Sequence, residues 1–150
     1  MFTSILLPHM DDEVFIFPYW AKLGEQSSSA VRIYFLTRSE GRGNKFDQSV
    51  RENESKKAIA KILPCTEVHF FGRKLDIKDQ ELHAKLSDLF DFLHSELNGQ
   101  CDNLISPHFE GGHIDHDSSS ILASELARAL NSADKSVMQV SGGKIYFTFT

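Results

Sequence analysis

Two short stretches of this chain concentrate side chains that bind metals and move protons. The first is Pro8-His9-Met10-Asp11-Asp12-Glu13, directly after the apolar Ile5-Leu6-Leu7. The second is Gly111-Gly112-His113-Ile114-Asp115-His116-Asp117, a few residues after Asn103-Leu104-Ile105-Ser106-Pro107. Neighbouring carboxylates repel one another unless a cation, a proton or solvent compensates them. Each cluster stands at the mouth of a strand-like segment, so one divalent ion held between two loops would answer both. Imidazole nitrogen with carboxylate oxygen suits zinc, and three protein ligands leave a position for water. Iron, manganese and cobalt suit the same donors. Helix capping alone also places acids ahead of a helix, but it gives His9 no role.

The elements that must position these clusters follow from apolar spacing. Ile5-Leu6-Leu7 reads as a strand, and a helix is predicted from Glu13 to about Gly24, interrupted by Pro18. Val31 to Thr37 is a strand rich in β-branched and aromatic residues, followed by the glycine loop Glu40-Gly41-Arg42-Gly43-Asn44. Ser49 to Leu63 reads as a helix stopped by Pro64, and Val68 to Gly72 as a third strand. From Asp79 to Leu97 an apolar stripe of Leu82, Leu86, Leu89, Phe90, Leu93 and Leu97 marks a helix. Leu104-Ile105 begins a fourth strand, Ser118 to Leu130 is a further helix, and Lys144 to Thr150 is a last strand. This alternation predicts an α/β fold: a Rossmann-like three-layer sandwich with a mostly parallel sheet, one domain over residues 1–150. In such sheets ligands bind beyond the carboxyl ends of the strands, where both clusters fall.

Composition narrows the class. A net charge of −5 with no basic stripe argues against a nucleic-acid partner. No apolar run approaches the ~20 residues of a membrane span. Met1 to Pro8 lacks a basic region and a small-residue cleavage site, so it reads as strand and not as a signal peptide. Cys65 and Cys101 form no metal or redox pattern and are expected to stay reduced, in a cytoplasmic setting. Strand one leads into His-Met-Asp-Asp and not into a glycine-rich phosphate loop, which disfavours a nucleotide-binding domain.

The ordered set of motifs resembles the PIG-L/LmbE-like family of zinc-dependent de-N-acetylases. That family's first motif is usually written Pro-His-Pro-Asp-Asp-Glu and its second His-Pro-Asp-His. Here they stand as Pro8-His9-Met10-Asp11-Asp12-Glu13 and His113-Ile114-Asp115-His116. Phe35-Leu36-Thr37 before a glycine loop, Arg51 and Glu54 opening a helix, and Phe71-Gly72 with Leu75-Asp76 agree with the same order. The resemblance implies that His9, Asp12 and His116 bind zinc and that Asp11 is the general base toward the attacking water. It implies that His113 stabilises the oxyanion, with Asp115 tuning its orientation and pKa. The reaction so implied removes acetyl from an N-acetylated amino sugar, an N-acetylglucosamine-type glycoconjugate or precursor. Amides resist hydrolysis, so such a catalyst needs an activated water, a base within reach of it and a donor aimed at the developing charge.

Met10 and Ile114 stand where the family carries proline, which would preset the backbone without adding a ligand. The chain is also shorter than usual for the family, so its C-terminal, pocket-shaping part is expected to be reduced. Arg51 and Asp76 are candidate substrate-binding residues; a solvated Arg51–Glu54 pair on a helix and a loop cap explain them about as well. Two other functions stay open at this point. One is an amidase acting on another acylated amine or thiol conjugate. The other is a non-catalytic metal- or sugar-binding module, against which the presence of Asp11 and His113 weighs.

Overall fold

The central strand is apolar on both faces, as burial between two helical layers requires. In the computed structural model, which describes residues 2–17, 30–40, 47–130, 136–141 and 144–149, this strand is β1 (Phe2–Leu7). It pairs in parallel with β2 (Ala30–Phe35) on one side and β4 (Asn103–Pro107) on the other. β3 (Glu67–Phe70) extends the sheet beyond β2, and β5 (Ser136–Ser141) with β6 (Lys144–Phe149) beyond β4. The order is β3-β2-β1-β4-β5-β6, parallel throughout except for the antiparallel β5–β6 pair. The chain thus winds outward from β1 to β3 and then returns to the other flank of β1. β1 and β4 meet at that reversal, the crevice where open α/β sheets bind ligands.

Alternation along the strands supplies the two cores. Ile5, Leu7, Ile33, Phe35 and Ile105 face Ile16, Ile59 and Leu63. These belong to α1, helical at 13–17, and to α2 (Gln48–Ile62) with its C-cap. Leu6, Tyr34 and Leu104 face the other way, onto Leu89, Leu93 and Leu97 of α4 (Leu86–Leu97) and Leu122 and Leu126 of α5 (Ile114–Ala129). The Asp47 carboxylate caps α2 by accepting from the Ser49 amide at 2.8 Å, and Pro64 disfavours helix at the residue before it. No helix among the described residues is long and apolar enough to cross a membrane.

Several boundaries differ from the sequence reading. The third strand stops at Phe70, and Phe71–Lys74 forms a short helix, α3. A Cβ on Gly72 would lie 1.9 Å from the carbonyl carbon of Thr37, so only glycine permits this turn against the end of β2. The helix expected from Asp79 begins as turn and a 3-10 segment (Leu82–Lys85) before α4. There Gln80 has φ +70°, and its amide and that of Leu82 are directed to Asp115. The helix expected from Ser118 starts four residues earlier, at Ile114, so the second motif is its first turn and not a loop. β5 lies in a stretch where no strand was expected. Residues 18–24 of the expected first helix and 41–44 of the glycine loop lie outside the described residues.

Candidate metal centre

Pro8 leaves β1 at the reversal point, and the backbone turns at once into α1. His9 and Asp12 lie on this turn and close on each other. The Asp12 Oδ2 accepts from the His9 amide at 2.8 Å and lies 3.3 Å from His9 Nδ1. From across the crevice, His116 in the first turn of α5 brings Nε2 to 3.3 Å from Asp12 Oδ1. One donor atom from each of His9, Asp12 and His116 lies within 4.8 Å of the others. A tetrahedral ion with ligands at about 2.0–2.2 Å holds its donors roughly 3.3–3.6 Å apart, so this nitrogen–nitrogen–oxygen set fits zinc. His113 is the N-cap of α5, with extended backbone, and its ring centre lies 4.9 Å from those of both His9 and His116.

Asp115 is fully buried, and its Oδ2 lies 2.9 Å from His9 Nε2. The same carboxylate accepts the amides of Gln80 at 2.6 Å and Leu82 at 3.3 Å. The ring it holds is therefore His9, whereas the resemblance pairs it with His113. With Nε2 tied to Asp115, His9 presents Nδ1 to the ion site, and a carboxylate behind a ligating imidazole fixes its tautomer and orientation. Burial opposes a charged His9 ring, but Asp115 and Asp12 outweigh it and push the pKa up to about 10. Imidazole ligates in its neutral form, so loading the centre releases a proton. Burial likewise opposes charge on Asp12, yet the His116 and His9 bonds hold it well below the usual carboxylate range. Asp115 is lowered in the same way, its bonds to His9 and the two amides prevailing over burial.

Asp11 differs from its neighbour. Its side chain is 72% exposed, with Arg51 at 3.7 Å. Partial desolvation and the adjacent Asp12 charge raise its pKa, against the pull of Arg51 and His9, a direction that suits a base. Asp11 also has φ +144°. A non-glycine residue there carries strain of about 1–3 kcal/mol. Ser39, Asp76 and Gln80 share positive φ; Ser39 accepts the Met10 amide, Gln80 donates to Asp115, and Asp76 pairs with Arg38.

Several supporting groups had been given no individual role from the sequence. The Met10 amide donates to the Ser39 hydroxyl at 2.7 Å. The Thr37 hydroxyl lies 2.8 Å from the Pro8 carbonyl and 2.9 Å from the Asp79 carboxylate. Asp117 accepts the amides of Glu110 at 2.8 Å and Gly111 at 3.0 Å, which folds the loop before His113. Short polar residues after a strand end were the available signal. Arg51 reaches the site, donating to the Met10 carbonyl at 2.7 Å and to the Ser39 carbonyl. Asp76 is 73% exposed and paired with Arg38. Among the described residues no hydrogen bond or ion pair joins it to the three-ligand cluster.

A parallel α/β sheet carrying two histidines and an aspartate at its reversal point, with a second carboxylate beside them, defines a class of metal-competent α/β proteins. Solved structures share this fold. A teicoplanin-biosynthesis deacetylase superposes with a TM-score of 0.73 at 12% identity, over 93% of this chain and 69% of that one. The N,N'-diacetylchitobiose deacetylase of Pyrococcus horikoshii gives 0.68 at 17%, over 93% and 60%. The 4-carboxy-2-hydroxymuconate hydratase GalB of Pseudomonas putida gives 0.53 at 20%, over 93% and 65%. The chain thus spans about two thirds of these proteins, and the last shows that the fold alone does not fix the reaction. A search of curated protein sequences gives no match. The family is settled by a model that matches residues 4–127: the chain belongs to the GlcNAc-PI de-N-acetylase family, PIG-L.

Proposed function

We propose that this chain is a zinc-dependent hydrolase that removes the acetyl group from an N-acetylated amino sugar, of N-acetylglucosamine type, within a glycoconjugate or its precursor. The observation that carries the reading is the meeting of His9, Asp12 and His116 around one point, with the Asp11 carboxylate left open beside it. Family membership and the deacetylases of like fold support it. We take residues 1–150 to contribute one catalytic domain.

His9, Asp12 and His116 would hold the ion, which when bound supplies Lewis acidity and makes water available as hydroxide near neutral pH. Asp11 accepts a proton from the attacking water, whose oxygen bonds to the amide carbonyl carbon. His113 donates toward the oxygen on which negative charge develops. When the carbon–nitrogen bond breaks, the proton held by Asp11 passes to the departing amine, leaving acetate and a free amino sugar. Asp115 keeps His9 aimed. Arg51 and Asp76 are proposed to meet the sugar hydroxyls, Arg51 from the wall next to Asp11 and Asp76 from the rim.

The test is elemental analysis of the purified chain followed by an acetate-release assay on N-acetylglucosamine and N,N'-diacetylchitobiose. About one transition metal per chain, lost in His9→Ala/His116→Ala, together with acetate release, supports the reading. A chain that takes up no zinc sinks it. Metal uptake with hydrolysis of other acylated amines alone would move the substrate and keep the reaction.

A further inference from the structure

The Met10–Asp11 peptide group is held at both of its polar atoms, its carbonyl directly by α2 and its N–H by Glu13 of α1, which α2 backs through Ser55. Its carbonyl accepts from Arg51 at 2.7 Å. Its N–H donates to Glu13 Oε2 at 2.8 Å, and the other oxygen of Glu13 accepts the Ser55 hydroxyl at 2.9 Å. Arg51 and Ser55 are four residues apart on α2 and so share a face. Glu13 and Ser55 are 5% and 4% exposed, which leaves these bonds little competition from water. The peptide plane is thereby held in one orientation, just where Asp11 takes φ +144°.

We propose that Glu13, through Ser55, is a positioning residue that clamps this peptide and aims Asp11 for proton transfer; this rests on the reading of Asp11 as the base. Among the described residues no hydrogen bond or ion pair joins the Glu13 side chain to His9, Asp12 or His116, and it is shielded from solvent. Helix capping does not account for the arrangement: a cap needs no second helix behind it and no matching grip on the carbonyl of the same peptide. The carboxylate matters here as a pair of acceptors and not as a charge. Glu13→Gln can keep both links, its carbonyl accepting the Asp11 N–H and its NH2 donating to a rotated Ser55 hydroxyl.

The experiment compares Glu13→Gln, Glu13→Ala and Ser55→Ala in the full chain, with three readouts: zinc content, kcat against KM on N-acetylglucosamine, and exchange of the Asp11 amide proton by NMR. Zinc content should stay at the wild-type level in all three variants. Glu13→Ala should lower kcat by about 100-fold, the scale of a small misplacement of a reacting group, with KM little changed. It should also speed Asp11 amide exchange. Ser55→Ala should show a smaller fall of the same kind, and Glu13→Gln should stay close to wild type in both kcat and exchange. Glu13→Gln as inactive as Glu13→Ala, or an Asp11 amide indifferent to Glu13→Ala, overturns the clamp. A wild-type chain that releases no acetate removes the hydrolase reading alone, and the amide exchange then decides the clamp by itself.

Discussion

The loop after β1 and the first turn of α5 face each other across the ion site, yet they are built differently. The first motif has irregular backbone, with Asp11 at φ +144° and its peptides bonded to Ser39, Arg51, Glu13 and Asp12. The second rides on a regular sixteen-residue helix that begins at Ile114, so Asp115 and His116 inherit their placement from α5. Strain gathers on the side that, in the proposed mechanism, splits two adjacent aspartates between metal and water. On the helical side successive residues already point in different directions, and Asp115 turns inward to His9 while His113 stays on the rim. A centre assembled from one constrained loop and one regular helix needs heavy bracing on one side only.

That contrast can be broken at its ends first. His116→Ala removes the proposed ligand carried by α5 and should abolish metal binding and activity together, measured by elemental analysis and acetate release. Asp11→Ala should retain the metal and lose about 10²–10⁴ in kcat, the range expected for a general base. Equal metal loss from both would overturn the division of roles between Asp11 and Asp12. Asp115→Ala should weaken zinc affinity by about 10–100-fold, as loss of a carboxylate behind a ligating imidazole does; a competition titration with a chelating dye measures it.

The two places where the family carries proline sharpen the comparison further. Met10→Pro would remove the amide that donates to Ser39 at 2.7 Å, and we expect a loss of about 1–3 kcal/mol for the orphaned buried bond, seen as a lower melting temperature. Ile114→Pro goes the other way. Ile114 is the first residue of α5, and His113 before it has φ −126° and ψ 115°, the extended conformation that a following proline favours. Stability should rise by about 0.4–1 kcal/mol, with metal content unchanged. A proline tolerated equally at both positions would show that the first loop is less tightly specified than its hydrogen bonds imply.

Much of the frame was legible because buried parallel strands are nearly continuous apolar runs. Ile5-Leu6-Leu7 and Val31 to Phe35 could be little else. α3 was hidden because Val68 to Phe71 is locally strand-like, and what ends the strand is Thr37, more than thirty residues away in sequence. β5, Ser136-Val137-Met138-Gln139-Val140-Ser141, mixes apolar and polar residues too evenly to stand out. The start of α5 was obscured by Gly111 and Gly112, which suggest a loop running on into His113. In the site, the residue types pointed to a metal between the two clusters and the family resemblance to His9, Asp12 and His116, which the fold does bring together. The partner of Asp115 could not be read the same way. His113 is near in sequence, but Gln80 and Leu82 arrive from another connection and turn the carboxylate toward His9.

Gly72 carries this dependence on distant neighbours furthest. It has no side chain to do chemistry, yet it leaves no room for a methyl group beside Thr37. Thr37 in turn steadies the carbonyl of Pro8, the residue before His9. Mutational tolerance at this position is therefore set by missing volume rather than by chemistry. A screen scoring only catalysis would rank Gly72 among the ligands, and a search for reactive groups would pass over it.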